Sequence, residues 1–249
     1  MTAVRGRDVR VLVDGYDFSG STNSATVGVA TDTLPATAFQ DTAAVTITGT
    51  PMGSIALAGY FVGSTVAVDD GTFEKEQYDR LAAANNVIVA AILDTTATRP
   101  VGYVLPSTSG AGLKVNAPVD GLITVEGEFS EQTLRRGFQI YRGTISATGV
   151  TTPVDMGAGG TAGGLAYLFI QTITGTATNA TIDIESCATV DGSYVSEGTF
   201  TFSAVGVQTV TMSGTVGRWL QLNCTAKGGA TSFLVLCVAC VSGVTYSVA

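Results

Sequence analysis

The residues that could do chemistry near neutral pH are few, and their types exclude most catalytic systems. Histidine is absent, which removes Ser-His-Asp and Cys-His nucleophiles and the commonest general base. Four cysteines, Cys187, Cys224, Cys237 and Cys240, lie in the last third of the chain. Cys237 and Cys240 form a C-x-x-C inside the apolar run Phe233–Val241. On a strand, residues three apart point to opposite faces, so this pair suits small buried side chains better than zinc or redox work. The spacing leaves a Cys187–Cys224 disulfide open. The carboxylate pairs Asp69/Asp70, Glu74/Glu76 and Glu126/Glu128 have the residue types of glycoside hydrolysis, and equally those of a solvated surface. Asp14-x-x-Asp17 lacks the continuation of a calcium loop. Gly157-Ala-Gly-Gly-Thr-Ala162 matches a dinucleotide fingerprint only loosely, because a strand follows it where a helix is required. There is no Walker A sequence and no G-x-S-x-G. The expectation is a protein without catalysis, metal or cofactor.

Charge narrows the partners. The net charge is −8 and the isoelectric point about 4.4, so the chain does not hold nucleic acid by neutralising phosphates. Acidic groups can still act on DNA by repelling it. The first eight residues lack the apolar segment of a signal peptide, and no apolar run reaches the ~20 residues of a membrane span. Assembly in a cytosol, away from membranes, is expected.

The elements that must carry these residues read as strands. Hydrophobic residues make up 45% of the chain, charged residues only 13%, and there are 31 glycines among 249 residues. Thr and Val favour pleated strands, and Gly favours turns. Strands are expected at Val9–Val13, Ala25–Ala30, Ser54–Phe61, Val87–Leu93, Val101–Leu105, Leu122–Phe129 and Phe138–Arg142, with a turn at Asp14–Asp17. One helix is expected at about 72–84, where Thr72 is a possible N-cap and Phe73, Gln77, Tyr78, Leu81 and Ala84 form a stripe. Ala36–Gly53 reads as an extended hairpin or loop. Gly157–Gly164 reads as a flexible glycine-rich linker. Beyond it, short strands at Leu165–Ile173, Ala180–Ser186, Gly198–Ser203, Val207–Met212, Trp219–Thr225 and Ser232–Val241 give the pattern of an antiparallel sandwich. The expected domains are therefore 1–150, a linker at 151–164 and a β-sandwich at 165–249. In the strand Leu122–Phe129, Ile123, Val125, Gly127 and Phe129 share one face, opposite Thr124, Glu126 and Glu128.

Three patches resemble the tail-tube proteins of bacteriophages with long non-contractile tails. Val11-Leu-Val-Asp-Gly-Tyr-Asp-Phe-Ser-Gly20 is similar to the family's opening strand and its DGYDLSG-type turn. Thr37-Ala-Phe-Gln-Asp-Thr-Ala43, with Ile47 and Gly49, is similar to its TTFGD-A…I-G stretch, with Gln40 standing where the family has glycine. Ile55-Ala-Leu-Ala-Gly-Tyr-Phe61 is similar to its ISLSGFW. The resemblance covers 1–145 with gaps, and the later strands look like a sandwich domain appended to the outside. It implies a structural virion protein that forms stacked hexameric rings and conducts DNA on ejection. The implied partners are other copies of itself, other tail proteins, and the tape-measure protein and DNA passing through without specific binding. The implied location is the virion tail, assembled in the host bacterial cytoplasm. Glu126 and Glu128 become candidates for the lumen. Phe39, Gln40, Asp41, Thr42, Val45 and Ile47 become candidates for a loop between rings. The alternatives are a capsid decoration protein and a carbohydrate-binding or adhesion module.

Overall fold

The computed structural model describes residues 8–35, 46–60, 87–95 and 97–244. The fold is mainly β, in antiparallel sheets, as the composition requires. The strands are β1 (Arg10–Val13), β2 (Tyr16–Asp17), β3 (Thr22–Pro35), β4 (Thr46–Tyr60), β5 (Val87–Leu93), β6 (Val101–Asn116), β7 (Thr124–Glu131) and β8 (Arg135–Ile145). They continue as β9 (Gly149–Val150), β10 (Val154–Asp155), β11 (Gly164–Gly175), β12 (Ala180–Cys187), β13 (Val195–Phe202), β14 (Gly206–Met212), β15 (Trp219–Ala226) and β16 (Ala230–Val241). The helix expected at 72–84 lies outside the described residues, as do Phe39, Gln40, Asp41, Thr42 and Val45.

The chain divides into two compact units. One comprises Met1–Asp17, Ile92–Gly102 and Arg136–Ala249; the other comprises Phe18–Ala91 and Tyr103–Arg135. This division departs from the chain-order boundary expected at residue 150. The reason is pairing: β8 lies antiparallel to β16, with Phe138 opposite Ala239 and Ile145 opposite Phe233. An early strand thereby completes a sheet of late ones.

The first unit is a two-sheet sandwich. One sheet runs β14–β11–β16–β8 and the other β10–β15–β12–β13, with β9 beside β15. Between them lie Leu168 and Ile170 of β11, Ile182 and Ile184 of β12, Leu220 and Leu222 of β15, and Phe233 and Val235 of β16, all buried. Phe202 meets Phe233 edge-on, with ring centroids 5.0 Å apart. Full burial of each such side chain contributes about 1.5–3 kcal/mol. Cys237 belongs to this core, while Cys240 is buried apart from it, as the odd spacing demands. None of the four cysteines forms a disulfide. Cys187 stands opposite Trp219 whereas Cys224 stands opposite Ile182, so the strand register separates the pair that spacing left open.

Two glycine segments behave differently from their sequence reading. In the turn after β1, Asp14 takes the left-handed backbone (φ 51°). Gly15 is instead needed for close approach, because a Cβ there would lie 2.6 Å from the Gly206 nitrogen and 2.7 Å from the Ile170 oxygen. The stretch expected to be a linker is hydrogen-bonded in place. Gly160 and Val216 exchange both backbone bonds, Gly163 donates to Gly214, and Ser242 donates to Gly163. Small residues here let backbones meet.

The second unit is built on a four-stranded antiparallel sheet, β3–β4–β7–β6. Of the extended hairpin or loop expected at Ala36–Gly53, the described part, from Thr46 onward, is strand paired antiparallel with β3, with Ile47 opposite Leu34. β6 runs on to Asn116, well past the expected end at Leu105, and β7 begins two residues after the expected Leu122. Leu122 and Ile123 are exposed off the strand. Ile55, Leu57, Val125 and Phe129 are buried on one face of the sheet.

Candidate functional site

The outward face of the four-stranded sheet carries the charged candidates. Along β7 burial alternates, with Val125, Gly127 and Phe129 buried and Glu126 and Glu128 exposed between them. Strand periodicity alone produces this, since successive side chains point to opposite faces. Antiparallel register then fixes the neighbours. Glu126 stands between Ala58 of β4 and Lys114 of β6; Glu128 stands between Ala56 and Gly112. On β3, Ser24 pairs with Ala58 and Thr26 with Ala56. Small side chains thus flank both glutamates on the β4 side, and on the β6 side Gly112 stands beside Glu128 and Lys114 beside Glu126. An open trough of about 370 Å³ is lined by Ser24, Thr26, Ala56, Ala58, Lys114, Glu126 and Glu128.

Lys114 contributes a charge that reading β7 alone does not reveal. Its Nζ lies 3.4 Å from Glu126 Oε2, with both side chains largely exposed. An exposed pair of this kind is worth at most about 1 kcal/mol and weakens with salt. Among the described residues Glu128 has no ion-pair partner. At the end of the strand, burial raises the pKa of Glu131, opposed by the Ser107 backbone N–H donated to its carboxylate and by nearby Arg135. The Lys114–Glu126 match was legible in principle. Pro118-Val-Asp-Gly121 is a turn sequence, and folding the chain about it brings 114 opposite 126.

This face offers poor chemistry and a usable surface. Two exposed carboxylates lack the apolar pocket that keeps a general acid protonated. Among the described residues no group of three His, Cys, Asp or Glu side chains could hold a metal ion. The trough is shallow, lined by hydroxyls and alanines with two carboxylates and one ammonium.

A second concavity lies in the sandwich unit, where β8 bulges at Gln139–Tyr141 opposite Cys237–Val238. A cleft of about 540 Å³ opens there. Among its lining residues are Gln139, Tyr141, Arg142, Thr152, Asp155 and Trp219. Asp155 accepts from Arg218 through both oxygens, at 2.6 Å each, and from the Gly157 N–H at 2.7 Å. The Arg218 hydrogen bond first, with the Gly157 amide and the positive charges of Arg218 and Arg99 assisting against partial desolvation, holds its pKa down at about 2. Sequence reading passed over this cleft, because a bulge and a two-residue strand leave no periodic signal.

No family model matches the chain, and no curated protein matches it. Among solved structures, it is similar to a chain of the virion of a native gene transfer agent particle, at 12% identity over 53% of this chain and 97% of that one, with a TM-score of 0.38. A chain of the sheath-tube complex of an extracellular contractile injection system, PVC, in its extended state gives 11% identity, 54% and 90% coverage, and a TM-score of 0.39. The SPP1 Dit (gp 19.1) protein, described as a paradigm of the hub adsorption apparatus in phages infecting Gram-positive hosts, gives 12% identity, 93% and 98% coverage, and a TM-score of 0.31. At scores this low, function rests on the residues of this chain.

Proposed function

We propose that this chain is a structural subunit of a bacteriophage-type tail tube, without catalytic activity or cofactor. Copies assemble into rings, hexameric by the family resemblance, and the rings stack into a conduit for DNA during ejection. The observation that carries the reading is the outward face of β3–β4–β7–β6, where Glu126 and Glu128 stand among Ser, Thr, Ala and Gly, with Lys114 against Glu126. Repeated around a ring and turned to the lumen, that face presents small side chains and a net negative charge to the DNA, carried by Glu128 beside the Lys114–Glu126 pair. Like charge repels phosphate, and small side chains leave little to grip. The short motifs around Val11–Gly20, Thr37–Ala43 and Ile55–Phe61 support the same reading. The partners are other copies of the chain and other tail proteins, with tape-measure protein and DNA passing through; the location is the virion tail, after assembly in the bacterial cytoplasm. Phe39, Gln40, Asp41, Thr42, Val45 and Ile47 are assigned to contact between rings. Deleting 37–45 should leave soluble protein that does not stack, and normal tubes from that deletion would remove the assignment.

The decisive test is Glu126→Lys with Glu128→Lys. Both positions are exposed, so the variant should fold and build tubes. A basic lumen would bind DNA through counterion release, with steep dependence on salt. Ejection should slow or stall, most at low ionic strength. Wild-type ejection kinetics from virions carrying the double variant would rule out the lumen assignment.

A further inference from the structure

We propose that the two ends of the four-stranded sheet are a matched pair, in which the projecting β3–β4 ribbon of one copy seats against the β6–β7 hairpin tip of the next copy in a stack. The proposal rests on the tube reading and deepens it by naming the surface that receives each subunit. All the residues concerned lie in the second unit.

Strand register sets the two ends. At one end, Tyr60 of β4 and Asn116 of β6 both stand opposite Thr124 of β7. At the other, Gly53 stands opposite Glu131. β7 stops there, but β3 and β4 stay paired from Ala30–Met52 to Pro35–Thr46. This ribbon reaches roughly 20 Å beyond β7. It has no core where it leaves the sheet. Val29, Ala30 and Thr31, and Thr50, Pro51 and Met52, are all exposed. Successive residues of a strand face opposite ways, so both faces of the ribbon are bare. Met52 stands opposite Ala30, and Val29 opposite Gly53, which puts one large apolar side chain on each face. A two-stranded ribbon is marginal in water without a third strand or a packed face. It therefore calls for cover by another surface.

The distribution of apolar surface identifies that cover as a second copy. Among the described residues of this unit, every exposed large apolar side chain lies at one end of the sheet or the other. Val29, 64% exposed, and Met52 mark the ribbon end. Val119, fully exposed, Leu122, 70% exposed, and Val115, Ile123 and Tyr60 mark the hairpin end. The outward face between the ends is polar, with Ser24, Thr26, Glu126 and Glu128. Two different apolar surfaces at opposite ends of one subunit make a head-to-tail contact, which repeats without closing and builds a stack. A two-fold contact would join like ends and stop at two copies.

The test is Val119→Asp with Leu122→Asp. Both side chains are exposed between β6 and β7, so the variant should keep the wild-type circular dichroism and melting temperature. Full-length wild type and variant would be imaged side by side by negative-stain electron microscopy. Wild type should give tubes, and the variant single rings that have lost stacking. In a second measurement, Met52→Cys and Leu122→Cys proteins would be assembled separately and as a mixture, then oxidised. A covalent dimer should form only in the mixture, and the separate assemblies control for the native Cys187. Variant tubes of wild-type length would overturn the proposal and assign the tip to another tail protein. Variant chains that stay monomeric would place the tip inside a ring and overturn it too, as would a mixture without the covalent dimer. A wild type that forms neither rings nor tubes would sink the tube reading itself, and this pairing with it.

Discussion

β7 and β16 are both well-formed antiparallel strands with neighbours on each side, yet they distribute their side chains in opposite ways. β7 alternates, with Val125, Gly127 and Phe129 inside and Glu126 and Glu128 outside. From Val235 to Val241 every residue of β16 is buried. The difference lies in what covers the second face. A strand open to water on one side needs apolar residues only at every other position, so the alternate positions are free to carry charge. A strand enclosed on both faces has no such freedom, and both its cysteines are buried. Burial pushes the Cys237 thiol far above its ordinary range. Among the described residues, polar side chains gather on the open face of the four-stranded sheet, at the β8 bulge and along β12 and β15, where Glu185 accepts from Gln221 and Asn223.

The largest effect expected from this contrast is that of ending the chain at Val154. That removes β11 and β16 and uncovers Phe138 and Ile140 on β8. The truncated chain should aggregate or lose cooperative unfolding. A soluble, cooperatively melting fragment would show that the first 154 residues fold alone, as chain-order domains require.

Next come single core residues. Phe233→Ala and Phe129→Ala should each cost about 3–5 kcal/mol in denaturant unfolding, because both side chains are fully buried. Glu128→Ala, one position before Phe129, should change stability by less than about 0.5 kcal/mol. A large cost at Glu128 would mean that the outward face of β7 is structurally engaged and not open.

Thr108→Val should have the opposite sign. Thr108 is fully buried, and its Oγ1 has no hydrogen-bond partner among the described residues. Replacing a buried unsatisfied hydroxyl by a methyl of similar shape should stabilise by about 1 kcal/mol. Destabilisation would reveal a partner for that hydroxyl.

The smallest effect concerns Asp155 and depends on pH. Its folded pKa of about 2 lies below its ordinary value, so its contribution is present above the unfolded pKa of about 3.9 and is lost as pH falls toward 2. Asp155→Asn should melt slightly below wild type at pH 7, and the gap should close by about pH 2. A gap that persists at low pH would mean that the carboxylate's charge is not what the fork to Arg218 uses.

The sequence was most readable where a single strand's own periodicity decides the outcome. All six late strands expected from alternation and turn residues are present, at Gly164–Gly175, Ala180–Cys187, Val195–Phe202, Gly206–Met212, Trp219–Ala226 and Ala230–Val241. The in-and-out pattern of Val125 to Phe129 follows from the same local rule. It failed where neighbours decide. The length of β6 depends on pairing with β7, since Ser109–Asn116 contains Gly110 and Gly112 and has little strand propensity of its own. The glycines at 157–164 read as freedom, but they permit close packing against 214–216 and 242.

By itself, then, the sequence determined that the chain is a β protein, that histidine chemistry is absent, and that the C-x-x-C pair faces opposite ways. These follow from composition and from a period of two residues, which every strand obeys regardless of its partners. Only the tertiary structure decided that β8 belongs with the late strands and that a cleft opens beside Trp219. Those are matters of register and bulge between segments distant in the chain. A register is chosen by the burial of both partners at once, so neither segment carries it alone.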